Sequence, residues 1–273
     1  LHSHSTASDG TLTPTQLLHH ASAAGVDVLA LTDHDSTAGV AEARQAAAAC
    51  GVELVAGAEI SVTWQGATIH VVALGIDPHS ETLQQGLQKL VDFRHWRAEE
   101  IGRRLAKCGI SGAYEAALAL SNGALISRTH FARYLVAQGR ASDVRAVFKH
   151  DLVSGKPGHV RGEWATLEEA VSWIVDAGGM AVIAHPARYR LTRTRLRKLL
   201  GEFKEVGGAA LEVVSASHGR DEIFTMAAHA RDFDLLGSAG SDFHSPDQPW
   251  TALGRLAPLP PGCIPVWRDW GSL

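Results

Sequence analysis

Histidines that stand near carboxylates are the feature of this sequence with the most chemical content. The chain has 15 histidines among 273 residues, and several lie beside Asp or Glu at the ends of apolar runs. His2 and His4 alternate along a predicted first strand, so both side chains point to one side and can share a metal ion. Strands without a metal also carry such pairs, so the placement of the other ligand-type residues decides whether a metal site is predicted.

These other residues lie at or near the ends of apolar runs that predict strands, on what a parallel barrel would make its carboxyl-terminal face. Histidines on predicted helices, such as His95 and His229, are interpreted as surface or packing residues. Six imidazoles and three carboxylates are more than one ion can use, so two or three metal ions are predicted. The candidate ligands are His2, His4, Asp9, His34, Glu59, His70, His185, Asp242 and His244.

The elements that must position these residues follow from the apolar pattern. Thr13 and Pro14 are typical of a helix start, and the sequence predicts a helix to Gly25, a strand at 26–31, a helix at 38–50 and strands at 52–58 and 68–75. Continuous apolar strands followed by helices are typical of a parallel sheet with helices outside it. The predicted class is therefore α/β.

This alternation stops between residues 84 and 161. The sequence there predicts one long helix at 81–107 and shorter helices near 114–120, 127–138 and 142–149, with no strand. Alternation resumes at Thr166, with helices at 166–177, 194–206 and 218–231 and strands at 180–184, 209–214 and 235–239. We therefore expect a discontinuous core formed by residues 1–83 and 162–273, with residues 84–161 as a helical insertion or lid.

Composition excludes several classes of protein. A net charge of −4 and a pI near 6.4 leave no general basic surface for nucleic acid, although local patches remain open. Cys50, Cys108 and Cys263 form no CxxC pair, which argues against disulfides and thiolate zinc sites and favours a reducing, cytoplasmic location. No apolar run is long enough to span a bilayer. The sequence opens at Leu1 without an initiator Met, so we expect residues before it.

Six short motifs contain the candidate ligands: LHSHSTASDG, TDHDS, the Glu of GAEIS, the His of IHVVALG, IAHP and GSDFHS. Together they resemble the polymerase and histidinol phosphatase (PHP) family of metal-dependent phosphoesterases. The resemblance implies a distorted (β/α)7 barrel with a trinuclear metal site. One ion would take His2, His4, Glu59 and Asp242; a second would take Glu59 as a bridge, His70 and His185; the third would take Asp9, His34 and His244. Many relatives have a histidine at the position of Asp9.

The predicted insertion resembles that of one branch of this family in particular. ISRTHFARYLV and FKHDLVSGKPGHV are similar to the insertion of a bacterial branch that hydrolyses nucleotide phosphate esters, including 3′,5′-bisphosphates, and of which some members trim short RNA from its 5′ end. The resemblance implies hydrolysis of small nucleotide monoesters, such as pAp to AMP and phosphate, by hydroxide held between two ions. Mn²⁺ is the expected metal, with Zn²⁺ or Fe²⁺ as alternatives. No membrane or obligate protein partner is implied.

Further residues are candidates for catalysis or substrate binding. Asp33 and Asp35 flank His34 and would orient its ring, although Asp35 also fits a helix cap. His218 would protonate the leaving group or cap a helix. The candidates for holding a phosphate that is not cleaved are Arg128 and His130 of the RxHFA pattern, Arg133, Lys156 and His218. Arg133 by itself also fits a solvated helix face, and Lys156 fits a surface position equally well.

Three readings of function remain at this stage. The first is the nucleotide phosphatase, and the second is a 5′-3′ exoribonuclease with an open groove, for which Trp96, Phe131, Tyr134 and Trp164 would supply stacking surfaces. The third is a non-catalytic PHP module, which loss of ligands would favour, and none is lost. An amidohydrolase would use the same metals on a C–N bond, but Glu59 stands where a carboxylated lysine would bridge. Aromatic residues are only 6% of the chain, which favours small nucleotides.

Overall fold

The computed structural model describes residues 1–270 and contains one mixed sheet of six strands in the order β1 to β6. Neighbouring strands are parallel for β1 and β2, β4 and β5, and β5 and β6, and antiparallel for β2 and β3 and for β3 and β4. The strands are β1 Val28–Leu31, β2 Glu53–Trp64, β3 Ala67–Leu74, β4 Met180–Ile183, β5 Ala210–Ser215 and β6 Leu236–Gly240.

Helices cover this sheet and form the insertion. The predicted helices are all present, and Thr13 and Thr166 cap α1 and α7 as part of capping boxes. A π-turn at Phe148–Leu152 continues α6, and 3₁₀ turns lie at Pro186–Tyr189 and Pro249–Thr251. The helices are α1 Pro14–Ala23, α2 Val40–Cys50, α3 Glu81–Lys107, α4 Ala113–Leu120, α5 Arg128–Ala137, α6 Val144–Val147, α7 Leu167–Asp176, α8 Arg193–Glu205 and α9 Arg220–Asp232.

The predicted first strand is wrong as a regular strand. The N-terminal segment makes a single bridge, from Ser3 to Phe243, and it hydrogen-bonds on both sides. The Thr32 N–H donates to the Ser3 carbonyl (2.9 Å), and the His4 N–H donates to the Phe243 carbonyl (2.8 Å). The Thr32 hydroxyl accepts the Ser3 N–H, so a side chain replaces part of the ladder. The segment therefore lies between the ends of β1 and β6.

The predicted all-parallel sheet is also wrong. Strands β2 and β3 form an antiparallel hairpin around Gln65 and Gly66, which both have positive φ (46° and 78°). Strand β2 runs six residues past the predicted end, so Glu59 and His70 lie inside strands rather than at their ends. Their register places them diagonally on one face, because Ser61 stands opposite His70.

Two apolar clusters divide the helical region. Leu83, Leu87 and Leu90 of α3 pack into the core of the sheet, whereas Ile101 and Leu105, further along the same helix, pack into a second cluster formed by residues 98–160. The helix α3 therefore connects the two cores directly. The domain boundary at residue 84 stays a prediction, since it falls within this helix.

Among residues 1–270, no helix is both long enough and apolar enough to cross a membrane. Cys50, Cys108 and Cys263 are free thiols in this structure.

Candidate metal centre

Four predicted ligands meet where the N-terminal segment joins the ends of the sheet. The His4 Nε2 atom lies 3.2 Å from His2 Nε2 and 3.2 Å from Asp242 Oδ1, while Glu59 Oε1 lies 3.4 Å from His2 Nε2 and Glu59 Oε2 lies 3.5 Å from His4 Nε2. Metal–ligand bonds of about 2.0–2.2 Å place the donor atoms of a tetrahedral site about 3.3–3.6 Å apart. The spacing of this group therefore fits one divalent ion.

Glu59 connects this group to a second one. Its Oε1 atom lies 2.8 Å from His70 Nδ1 and 3.0 Å from His185 Nε2, and its Oε2 atom lies 2.7 Å from His34 Nδ1. The Glu59 carboxylate is fully buried. His34, Glu59 and His70 have donor atoms close enough to hold an ion, and His185 adjoins them. A carboxylate with both oxygens facing imidazoles is suited to bridging two ions.

A third group lies on the other side of His34. Asp9 Oδ1 is 3.3 Å from His244 Nε2 and 3.8 Å from His34 Nε2, and His4 completes the group. His34 therefore has one ring nitrogen toward Glu59 and the other toward Asp9. The three groups share ligands, and together they include all nine sequence candidates once His185 is counted beside Glu59.

Unpartnered buried atoms show that these residues fit cations. Within residues 1–270, Asp9 Oδ1, His34 Nδ1 and Glu59 Oε2 are buried and have no hydrogen-bond partner; the last two are 2.7 Å apart but lack hydrogen-bond geometry. Buried polar atoms without partners are costly. Divalent ions in two of the three groups would satisfy these atoms, one at His34 Nδ1 and Glu59 Oε2 and another at Asp9 Oδ1. The mixed imidazole and carboxylate donors suit Mn²⁺, Fe²⁺ or Zn²⁺ better than Ca²⁺.

The protonation states of the candidate ligands are divided. Burial alone would raise the pKa of Glu59, but His70, His2 and His34 hold that pKa well below its usual range. Burial, together with the neighbouring His244 and His34, lowers the pKa of His4 to about 3. The Glu59 carboxylate is therefore ionised and the His4 ring neutral, the forms that bind a metal. Against the effect of burial, neighbouring carboxylates raise the pKa of His2, His34 and His244, the last to about 9, so a bound metal would displace protons from these rings.

Glu212 supports the centre from behind and was missed by the sequence analysis. Its Oε1 atom lies 2.8 Å from His2 Nδ1, and its Oε2 atom accepts the backbone N–H of His185 at 2.6 Å. A carboxylate on the far nitrogen of a ligating histidine fixes the ring and raises its basicity. The sequence does contain a sign of this role. Glu212 is the one charged residue in the apolar run 209–214, and a buried strand rarely contains a charged residue that has no partner.

The insertion reaches the centre through Asp9. The hydroxyls of Ser127 and Thr129, at the start of α5, donate to Asp9 Oδ2 at 3.0 and 2.9 Å, and Arg133 donates to the Asp9 carbonyl at 2.7 Å. These bonds orient the other carboxylate oxygen toward His244. The contacts of Ser127 and Thr129 were not expected from the sequence, where only the neighbouring basic residues were singled out.

Backbone strain concentrates at the same place. His185 and Asp242 have positive φ angles of 28° and 55°, in the left-handed region that residues other than glycine rarely adopt. Arg188, on the 3₁₀ turn after His185, forms an ion pair with Asp242 and was also missed. Strained residues persist where surrounding contacts hold them, and they are common at functional sites.

The flanking aspartates do not orient His34 as predicted. Asp33 accepts the Ser5 N–H (2.8 Å) and the hydroxyls of Ser5 (2.7 Å) and Ser8 (2.6 Å), so it holds the loop that carries Asp9. Asp35 accepts from Arg94 and from the backbone of Ser61, both at 2.6 Å. The helix-cap alternative for Asp35 is wrong as well, because α2 starts after Gly39.

Three other predicted residues lie outside the small cavity that Arg128 lines beside the centre. His130 accepts the Ser127 N–H (3.1 Å) in a capping box, so it positions Ser127, and its contact with a substrate stays a prediction. His218 Nδ1 donates to the Val213 carbonyl (3.1 Å), while burial lowers its pKa, so it is neutral and poorly suited to protonate a leaving group. Lys156 lies exposed in a loop and lines no cavity described below.

Arg128 is placed differently, in a small cavity beside the centre. Arg94, Arg97 and Arg128 line about 80 Å³ together with Asp9, His34 and His70, and we name this cavity the arginine pocket. Arg94 pairs with Asp35. Burial and the neighbouring arginines lower the pKa of Arg128 to about 10 and that of Arg97 to about 9.

A larger groove of about 680 Å³ opens on the side of Asp242 and His244, and we name it the outer groove. Arg133 lines this groove and is partly buried. Thr129 and Phe148 line both cavities, so the two meet at the metal centre. The arrangement can hold an anion on one side of the ions and a larger, partly solvated group on the other.

Comparison with known proteins now identifies the family. Residues 1–179 match the PHP domain. The chain belongs to the PHP family. A 3′,5′-nucleoside bisphosphate phosphatase of Chromobacterium violaceum is 47% identical over 270 residues, covering 98% of this chain and 95% of that protein. A 5′-3′ exoribonuclease of Haemophilus influenzae is 46% identical, covering 98% of this chain and 97% of that protein.

Solved structures agree with the PHP assignment. The structure of an amidohydrolase from Chromobacterium violaceum, with bound sulfate and no metal, has a TM-score of 0.94 and 47% identity, and covers 98% of this chain and 94% of that one. A protein of Bifidobacterium adolescentis, assigned as a metal-dependent phosphoesterase, has a TM-score of 0.81 and 27% identity, covering 97% and 91%. The predicted fold is confirmed, and this PHP protein is a metal-dependent phosphoesterase.

Proposed function

We propose that this PHP enzyme hydrolyses the 3′-phosphate ester of nucleoside 3′,5′-bisphosphates. Water attacks the 3′-phosphorus, the bond from phosphorus to O3′ breaks, and the products are a nucleoside 5′-monophosphate and inorganic phosphate. The observation that carries the proposal is the arginine pocket, which adjoins the metal centre and is lined by three arginines and one carboxylate, Asp9; of the three arginines, Arg94 is paired with Asp35.

The pocket suits a phosphate that is bound but not cleaved. Arginine matches phosphate with two parallel hydrogen bonds, and a partly desolvated site strengthens them. Arg94 is already paired with Asp35, and Arg97 donates to the Val160 carbonyl. Arg128 lies over the ring of Phe148, with its guanidinium carbon 5.3 Å from the ring centroid. Arg128 is therefore the guanidinium best placed to take a 5′-phosphate while the 3′-phosphate lies at the ions.

The nine ligands would hold two or three divalent ions, which we propose to be Mn²⁺. Ions held there would supply an activated water and neutralise charge on the phosphoryl group. The chain itself contributes orientation: Glu212 fixes His2 and the backbone of His185, and Ser127 and Thr129 fix Asp9. Arg188 holds the second oxygen of Asp242, which leaves the first oxygen toward His2 and His4.

A second activity, 5′-3′ exoribonuclease, is favoured by the outer groove. The same step on a phosphodiester would release a nucleoside 5′-monophosphate and leave a new 5′-phosphate on the shortened chain. This reaction requires space for the next nucleotide beyond the scissile phosphate. The groove supplies about 680 Å³ next to Asp242 and His244, and an exoribonuclease Rnm of Escherichia coli is 44% identical to this chain, covering 99% of this chain and 92% of that protein.

The experiment is a substrate panel with enzyme loaded with a defined metal. We expect phosphate release from adenosine 3′,5′-bisphosphate to exceed that from 3′-AMP and 5′-AMP by at least tenfold in kcat/KM, the value of one charge-assisted contact. Sugar phosphates serve as the control for general phosphatase activity. Equal rates on all monoesters would contradict the proposal, because they would show that the second phosphate is not recognised.

A further inference from the structure

The outer groove has features that the hydrolysis of a bisphosphate does not require. Four arginines line it, against two carboxylates, and one of those carboxylates, Asp242, is already paired with Arg188. Arg145 and Arg190 are exposed members of the same lining. Guanidinium groups in a groove that also contains ligands of a phosphoesterase centre are complementary to the backbone of a single-stranded nucleic acid.

Trp250 adds an aromatic surface to this lining. It is 68% exposed, more than any other large apolar residue within residues 1–270. It lies on a 3₁₀ turn shortly after His244, and the turn is held by hydrogen bonds from Gln248 N–H to the Ser245 carbonyl and from Thr251 N–H to the Gln248 carbonyl. An exposed indole on a hydrogen-bonded turn, in a groove lined by arginines, offers a face for stacking any nucleobase.

We propose that the outer groove binds the nucleotide on the 3′ side of the scissile phosphate, with its base on Trp250 and its following phosphate at Arg145 and Arg190. This assignment rests on the proposed function, since it uses the same metal centre and the same broken bond. It makes Trp250 a residue that determines specificity for oligonucleotides and that bisphosphate hydrolysis does not need.

The test compares two substrates on matched variants. Trp250→Ala should reduce kcat/KM for a 5′-phosphorylated trinucleotide about 5- to 100-fold, the range for losing one stacked base, and should leave adenosine 3′,5′-bisphosphate within twofold. Trp250→Phe should restore most of the loss. Phe224→Ala is the control, because Phe224 is 53% exposed on α9 and is not part of the groove lining. Arg145→Ala with Arg190→Ala should flatten the salt dependence for the trinucleotide only.

Binding separates failure of this proposal from failure of the proposed function. The affinity of the metal-loaded protein for a phosphorothioate trinucleotide should fall in Trp250→Ala and stay unchanged in Phe224→Ala, whether or not any substrate is cleaved. Equal losses on bisphosphate and trinucleotide, or unchanged trinucleotide binding and turnover in Trp250→Ala, would overturn the role of the outer groove. Absence of bisphosphate hydrolysis by the unmodified enzyme would contradict the proposed function alone.

Discussion

Arg128→Ala gives the sharpest test of how the substrate is selected. Arg128 is partly buried in the arginine pocket and contacts Phe148, and no carboxylate would be left unpaired by its removal. The loss therefore measures the contact to substrate more directly than removal of Arg94 would, since Arg94 is paired with the buried Asp35. A charge-assisted contact is worth about 1.5–3 kcal/mol, which corresponds to roughly a 10- to 100-fold loss in kcat/KM.

The loss should fall on one substrate and on one kinetic constant. If Arg128 holds the 5′-phosphate, its contact exists in both the ground state and the transition state, so KM for a 3′,5′-bisphosphate should rise while kcat changes little. The 3′-monophosphate, which lacks that group, should be affected less than threefold, by the same reasoning.

The assay measures both substrates side by side with the same metal load. Arg103→Ala is the matched control, because Arg103 is exposed on α3 and paired with Glu100, outside the arginine pocket. Arg128→Lys keeps the charge and removes the two parallel hydrogen bonds, so it should recover only part of the loss. An equal loss on both substrates would refute the reasoning, because Arg128 would then contact the reacting phosphate or merely support the fold.

Three further predictions concern the metal centre. Elemental analysis of active enzyme should find two to three equivalents of divalent metal, and chelators should abolish turnover; one equivalent or less would exclude a multinuclear centre. His70→Ala and His185→Ala should each lower kcat about 100-fold or more with the fold intact by circular dichroism, and near-normal turnover with unchanged metal content would remove them from the mechanism. Glu212→Gln should weaken metal affinity about 10- to 100-fold by titration, because an amide does not hold the His2 ring and the His185 backbone N–H as a carboxylate does, and unchanged affinity would contradict that role.

The helices were predicted well because their signals are local. The capping residues Thr13 and Thr166 and the apolar periodicity over three or four residues operate within one turn of chain. The strands were predicted less well. A charged residue after an apolar run is typical of a strand end, so the sequence predicts that β2 ends at Ala58, before Glu59. The strand continues to Trp64 because its second half pairs with β3 in an antiparallel hairpin.

The sequence by itself determined which residues can bind metal, since imidazole and carboxylate chemistry at short spacings needs no tertiary information to be recognised. It did not determine what supports them. Glu212 contacts His2 across 210 residues, and Ser127 contacts Asp9 across 118, so only the folded chain brings these partners together. The direction of β3 and the positions of the arginines depend in the same way on long-range packing. Ligand identity is a property of side-chain type, whereas orientation, burial and the arginine pocket are properties of the tertiary structure.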